Sequence, residues 1–252
     1  MKKVALVITG HIRTFKQSYK DLKRFILDRH EVDIYFSTWD HNMLGGVAGN
    51  SLSKFNPDHT KKLLSEYPNV KDIIISNYGE INKTSEKYIA SYGEFGLCED
   101  PTYKKYRGGR TQRKTMPYNA GQWYPVQEGF KAIQNPEQYD VIMRSRFDIQ
   151  YYKPIDFLPN EIVGVHPGPK RMPDTNQPYT ELFNIRNHVF YGTPYLVEVM
   201  KDVYNKNLET MCKYCNLATD SLLEYILRNN NKGYPLTIDE NFKQGVHYEV
   251  WK

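Results

Sequence analysis

The stretch Val4–Phe15, VALVITGHIRTF, decides how the rest of the chain is read. An apolar run from Val4 to Ile8 is closed by Thr9-Gly10, and the basic residues Arg13 and Lys16 follow at once. A secretory leader needs a longer apolar core and a small-residue cleavage site, and neither is present here. A short uninterrupted apolar run ending in a Gly turn is instead the pattern of a strand buried on both faces, as in a parallel sheet.

Working outward, Tyr19, Leu22, Phe25 and Ile26 fall at helical spacing within Ser18–Asp28. Val32–Trp39 (VDIYFSTW) reads as a second strand, Pro57–Tyr67 as a helix, and Asp72–Ser76 (DIIIS) as a third buried strand. This β–α–β–α–β alternation predicts an α/β fold, an open and mostly parallel sheet with covering helices and a Rossmann-like N-terminal half. The region Asn77–Pro117 is polar, rich in Tyr, Gly and Lys, and without clear period, so it reads as a long loop of the functional or disordered kind. Its basic end, KKYRGGRTQRK at Lys104–Lys114, suits either a solvated surface or a phosphate-gripping lid. Beyond it, Asn119–Ile133 reads as a helix, Ile162–Val165 and Val189–Tyr191 as strands, and Tyr195–Tyr204 and Thr219–Arg228 as helices.

A chain of 252 residues fits one large domain, with residues 1–150 as one half and 151–252 as the other. With 40% hydrophobic and 25% charged residues, it has the composition of a folded globule. A net charge of +5, spread along the chain, suits an anionic small ligand or an acidic membrane surface and does not call for nucleic acid. Three cysteines, an odd count, argue against a disulfide framework. The lone CxxC of Cys212 and Cys215 has no second pair to complete a zinc site, so both read as ordinary thiols near a connection between helices. No stretch is long and apolar enough for a membrane span, and the expected location is the cytoplasm, with room for peripheral membrane contact. The 21 tyrosines supply rings that pack in cores or stack on sugars and bases.

The functional signal is concentrated in Tyr139–Lys153, YDVIMRSRFDIQYYK. An apolar strand, Val141 to Met143, runs into Arg144-Ser145-Arg146-Phe147-Asp148, and charge at every second position faces one side of an extended chain. Buried charge is costly unless it meets a ligand, a metal or an opposite charge. Two readings follow: an edge strand with a surface Arg–Asp–Arg network, or a strand that delivers these groups into a polar pocket for phosphate, metal or sugar. Two further strand ends belong with it. Thr9-Gly10-His11-Ile12-Arg13 and Ser37-Thr38-Trp39-Asp40-His41 should lie side by side, because ligands of open α/β sheets bind beyond the carboxyl ends of the strands. The first is neither a GxGxxG fingerprint nor a P-loop. Trp39 reads by default as core packing, and Asp40 with His41 as a metal pair is discounted, because adjacent residues of an extended chain diverge.

TGHIRTF after the first strand, FSTWD after the second, and NAGQWYPVQEGFKAI leading into YDVIMRSRFDI together resemble nucleotide-sugar-dependent glycosyltransferases of the GT-A kind. The likeness is to those of polysaccharide, lipopolysaccharide and capsule assembly and to related viral enzymes, and it covers the order of elements over most of the chain. The resemblance implies transfer of a hexosyl or deoxyhexosyl group from a nucleotide-sugar donor to a glycan or glycolipid acceptor. It implies donor contacts at Thr9, Gly10, His11, Arg13, Ser37, Thr38, Trp39, Gln122, Arg144, Arg146 and Asp148. Enzymes of that kind usually hold the donor diphosphate through a divalent cation (Mn or Mg) on an Asp-x-Asp motif. Here only Asp148 is in place as a metal ligand, and Arg146 stands where the other Asp would be. Arginine forks match phosphate geometry, so Arg144 and Arg146 are themselves candidate diphosphate ligands. For the base that takes the acceptor proton the candidates are Asp220, at a helix start where the family often carries an acid, and His188; Asp174 has only its position to recommend it. The alternatives are a nucleotidyltransferase that makes the sugar donor and a non-catalytic nucleotide- or glycan-binding module.

Overall fold

The computed structural model describes residues 1–12, 14–43, 52–91, 121–157, 162–166, 188–214, 236–243 and 248–250. The N-terminal part runs β1 (Lys3–Gly10), α1 (Phe15–Leu22) continued by a π-helical turn (Lys23–Leu27), β2 (Glu31–Trp39), the strand pair β3 (His41–Met43) and β4 (Leu52–Lys54), α2 (Pro57–Ser65), β5 (Val70–Ser76) and α3 (Tyr78–Ser91). Then follow α4 (Tyr124–Lys131), β6 (Val141–Arg146), β7 (Ile149–Tyr151), β8 (Ile162–His166), β9 (Phe190–Gly192), α5 (Tyr195–Met200), α6 (Val203–Tyr214), β10 (Leu236–Lys243) and β11 (Tyr248–Val250).

Among the described residues the main sheet has seven strands in the order β10-β8-β9-β6-β1-β2-β5. β6, β1, β2 and β5 pair in parallel, as do β8 and β10, and only β9 runs against its neighbours. This is the mostly parallel, open α/β sheet with covering helices that the alternation of apolar runs predicts, the class a GT-A-like domain requires. Strands from both halves of the sequence share it.

Alternation along each central strand divides the core. Val4, Leu6, Ile8, Phe36 and Met143 face α1 and its neighbours, with Phe15, Leu22 and Phe147 packed on them. Ala5, Val7, Tyr35 and Ile142 face the opposite way, under Val126 and Phe130 of α4 and Leu196, Val199 and Met200 of α5. α4 lies close to the sheet because Gly129 has no side chain: a Cβ there would meet Val7 Cγ1 at 2.6 Å and Ser37 Cβ at 3.2 Å.

Several expectations change. β6 is flanked by β1 and β9, so the edge-strand reading of Arg144–Asp148 fails, and Arg144 and Asp148 are buried rather than on a surface. The supposed loop from Asn77 begins with fourteen helical residues, α3. Its inward stripe is Ile81, Ser85, Tyr88 and Ile89, and a serine at its centre hides the helical period. Asn77 starts the helix by accepting from the Glu80 amide (3.1 Å). The expected helix Tyr195–Tyr204 is broken by a turn at Lys201–Asp202 into α5 and α6, while β10 and β11 have no counterpart in the sequence reading. The basic stretch 104–114 and the helix expected at Thr219–Arg228 lie outside the described residues. Cys212 falls in the last turn of α6, and Cys215 lies outside. Among the described residues no helix is long and apolar enough to cross a membrane.

Candidate functional site

Parallel pairing brings the carboxyl ends of β1, β2 and β6 level: Thr9 is registered with Ser37 on one side and Arg146 on the other. Residues so registered face the same side of the sheet, the side covered by α4. Past these ends lies a cleft of about 550 Å³, its open mouth included. Gly10 and His11 from β1, Trp39 from β2 and Arg144, Arg146 and Asp148 from β6 line it, closed in by Tyr78 at the start of α3 and Gln122 just before α4.

Each wall is held from below. Gly10 takes φ +107°, a conformation that suits glycine, and Thr38 Oγ1 donates to its carbonyl (2.7 Å). His11 Nδ1 donates to the His41 carbonyl (2.9 Å), which fixes the proton on Nδ1 and puts the lone pair of the neutral ring on Nε2. Trp39 is 2% exposed, meets Tyr78 edge-on at 5.4 Å between ring centres, and stacks on Tyr124 at 6.1 Å. It is both core residue and cleft wall. Arg144 Nε donates to Thr9 Oγ1 (3.0 Å), and its guanidinium lies 5.8 Å from the centre of the Phe190 ring.

At the end of β6 the chain turns through Phe147-Asp148 before β7. Phe147 swings to the α1 side, stacks on Phe36 at 5.6 Å and meets Phe15 edge-on at 5.2 Å, while Ser18 of α1 donates to its carbonyl (2.7 Å). This pins the turn. Asp148 is therefore not a third outward residue of an extended strand. It curls back on Arg146 and accepts from Nε (2.8 Å) and Nη2 (2.5 Å), a bidentate pair whose carboxylate is 3% exposed and whose arginine is 27% exposed. Behind it, Ser145 Oγ and the Tyr151 hydroxyl pair at 2.7 Å, and complete burial holds the Tyr151 phenol well above its ordinary pKa.

No protein-family model matches this chain, and no curated protein is significantly similar to it. The site stands on its own geometry.

Seven of the residues expected to contact a donor line this one cleft: Gly10, His11, Trp39, Gln122, Arg144, Arg146 and Asp148. Thr9 lies beneath it and orients Arg144, Thr38 braces Gly10, and Ser37 is buried under α4. His188 stands two residues before β9, towards the end that approaches Arg146, but is not among the lining residues. Arg13, Asp174 and Asp220 lie outside the described residues.

Tyr78 was not foreseen at the site, and Asp40 and His41, placed at the second strand end, were expected to point apart. The chain bends at Asp40 as β2 ends, so neighbours expected to diverge instead meet: His41 Nδ1 donates to Asp40 Oδ1 at 2.6 Å. The same oxygen accepts from the Tyr78 amide (2.9 Å) and caps α3, and the backbone of Asp40 bonds Ser76 and Phe55.

The donor set fits a divalent cation poorly. Among the described residues no three His, Cys, Asp or Glu side chains gather in metal-holding range. Asp148, the one carboxylate among the described residues lining the cleft, has both oxygens engaged by Arg146. Among the described lining residues the arrangement brings the guanidiniums of Arg144 and Arg146 and the carboxylate of Asp148 beside aromatic rings, a cleft suited to a polyanion carrying a planar or sugar group.

Proposed function

We propose that the cleft takes the nucleoside diphosphate of an activated sugar and that the protein is a glycosyltransferase. The observation that carries this reading is the convergence of Arg144 and Arg146 with Trp39, Tyr78 and His11 beyond the carboxyl ends of three parallel strands. In the transfer, the bond from the anomeric carbon to the diphosphate oxygen breaks and its electron pair leaves with the diphosphate. An acceptor hydroxyl oxygen bonds the anomeric carbon and gives up its proton. Arg144 and Arg146 meet the charge that builds on the leaving group, and the rings hold base or sugar in position. For the proton, His188 and Asp220 remain the candidates. His11, a ring in the lining of the cleft, joins them. The acceptor is a glycan or glycolipid, reached from the cytoplasm, and the basic stretch Lys104–Lys114 suits an anionic membrane surface.

Thermal unfolding in the presence of UDP, GDP, CDP and ADP tests the reading. A ligand at a hundred times its Kd should stabilise the fold by about 2.7 kcal/mol and raise the midpoint accordingly. No shift with any of the four overturns the proposal. A shift without sugar release or transfer from the matching nucleotide sugar leaves a nucleotide-binding module and removes the enzyme.

A further inference from the structure

In the reading of the cleft as a diphosphate site, on which this inference rests, a divalent cation would ordinarily bridge carboxylate and phosphate. The β6–β7 turn is built otherwise. A cation on Asp148 would have to displace a bidentate, charge-assisted pair that is almost out of water, and would then sit against Arg146 and Arg144. Arginine carries five N–H donors. Asp148 accepts the one on Nε and one on Nη2, so the rest of the fork is turned away from the carboxylate. The exposures agree: the guanidinium is the outer partner and the carboxylate the inner one. Asp148 is itself fixed, because Phe147 is clamped between Phe15 and Phe36 and its carbonyl is held by Ser18. Arg144 is aimed in the same way, by Thr9.

We propose that the cleft binds a nucleoside diphosphate without a divalent cation, Arg146 and Arg144 being its phosphate ligands and Asp148 a positioning residue that locks the Arg146 fork. The acidic member of the motif thus acts through arginine.

Isothermal titration of the full chain with UDP, GDP and CDP, first in EDTA and then in excess manganese, tests this. The nucleotide that binds should show the same Kd in both buffers. In EDTA, Asp148→Asn should weaken binding about tenfold, because a neutral amide holds the guanidinium less firmly. Asp148→Glu should recover part of that loss, and in an Arg146→Ala background Asp148→Asn should have no further effect. Melting curves verify that each variant is folded, and the wild-type comparison of the two buffers needs no variant. Binding that requires manganese overturns the inference and leaves the donor site standing. An Asp148→Asn loss of the same size with and without Arg146 also overturns it. No binding in either buffer overturns the donor site as well.

Discussion

The two faces of the central sheet are lined by the same strands yet are built to different rules. On the α1 side, Phe15, Phe36 and Phe147 interlock with Leu6, Ile8 and Met143, and the polar groups there are tied off locally, as Ser145 is by Tyr151. On the α4 side the core also buries Ser85, Gln127 and Asn207. Ser85 and Tyr204 share a hydrogen bond (2.9 Å), Gln127 Oε1 accepts from the Tyr204 amide (3.1 Å), and both arginines emerge at the upper end of this face. One strand, β6, feeds both: Met143 and Ser145 go to one side, Arg144 and Arg146 to the other. The difference teaches that stability and chemistry are separated by the alternation of a strand, and that a single register sets both.

That separation can be broken deliberately. Phe147→Ala on the dry face should have the largest effect. It opens a cavity where three rings meet and should cost about 3–5 kcal/mol of folding free energy, read by chemical denaturation. If the variant loses nucleotide affinity without losing stability, the division is wrong. On the other face, Arg144→Met keeps volume and stem but removes the fork. It should lower diphosphate affinity by about 2 kcal/mol, roughly thirtyfold by titration. Stability should stay within about 1 kcal/mol, because replacing a buried charge by an apolar side chain is often neutral or better. An equal loss of stability would mean that Arg144 holds the fold rather than a ligand.

The smallest effect concerns His30, against the Phe157 ring on the dry side. Burial, aided by the positive N-terminus and Lys2 and opposed by a bond to the Ile155 backbone, lowers its pKa below the ordinary 6.5. Below that value the unfolded chain takes up a proton that the folded chain resists. This contribution to stability is therefore present above about pH 6.5 and falls away as pH drops through the window beneath it. His30→Gln should flatten that slope in melting temperature against pH and leave nucleotide affinity unchanged. A slope equally steep in the variant would put the titration elsewhere.

The features that could be read from the sequence are those that neighbours along the chain determine. Val4–Ile8 is a continuous apolar run because its strand is covered on both faces, and Val32–Trp39 and Asp72–Ser76 are also strands of the sheet, although the last, expected to be buried, is the partly exposed edge strand β5. Arg144 and Arg146 could be placed in one cleft because period two on a strand is unambiguous. Asp148 belongs to the same cleft, but its fold back onto Arg146 could not be read, since it depends on Phe147 turning to the opposite face and on Ser18, 129 residues earlier, catching that turn. Tyr78 enters the cleft through a cap from Asp40, 38 residues earlier, and no local pattern announces such a bond. Helix α3 hid because its buried stripe includes Ser85, whose partner, Tyr204, belongs to another helix. Contacts between distant segments carry what was missed.

Asp40 has a consequence of another kind. Its amide bonds Ser76 at the end of β5, its carbonyl accepts from Phe55 just past β4, and its side chain holds both His41 of β3 and the first amide of α3. Mechanically it is a joint on which four elements turn. The strand pair β3–β4 and the first turn of α3 are thus tied to one residue, and Tyr78, which lines the cleft, is tied with them. Asp40 is the linkage between that outer strand pair and the ring that faces the cleft.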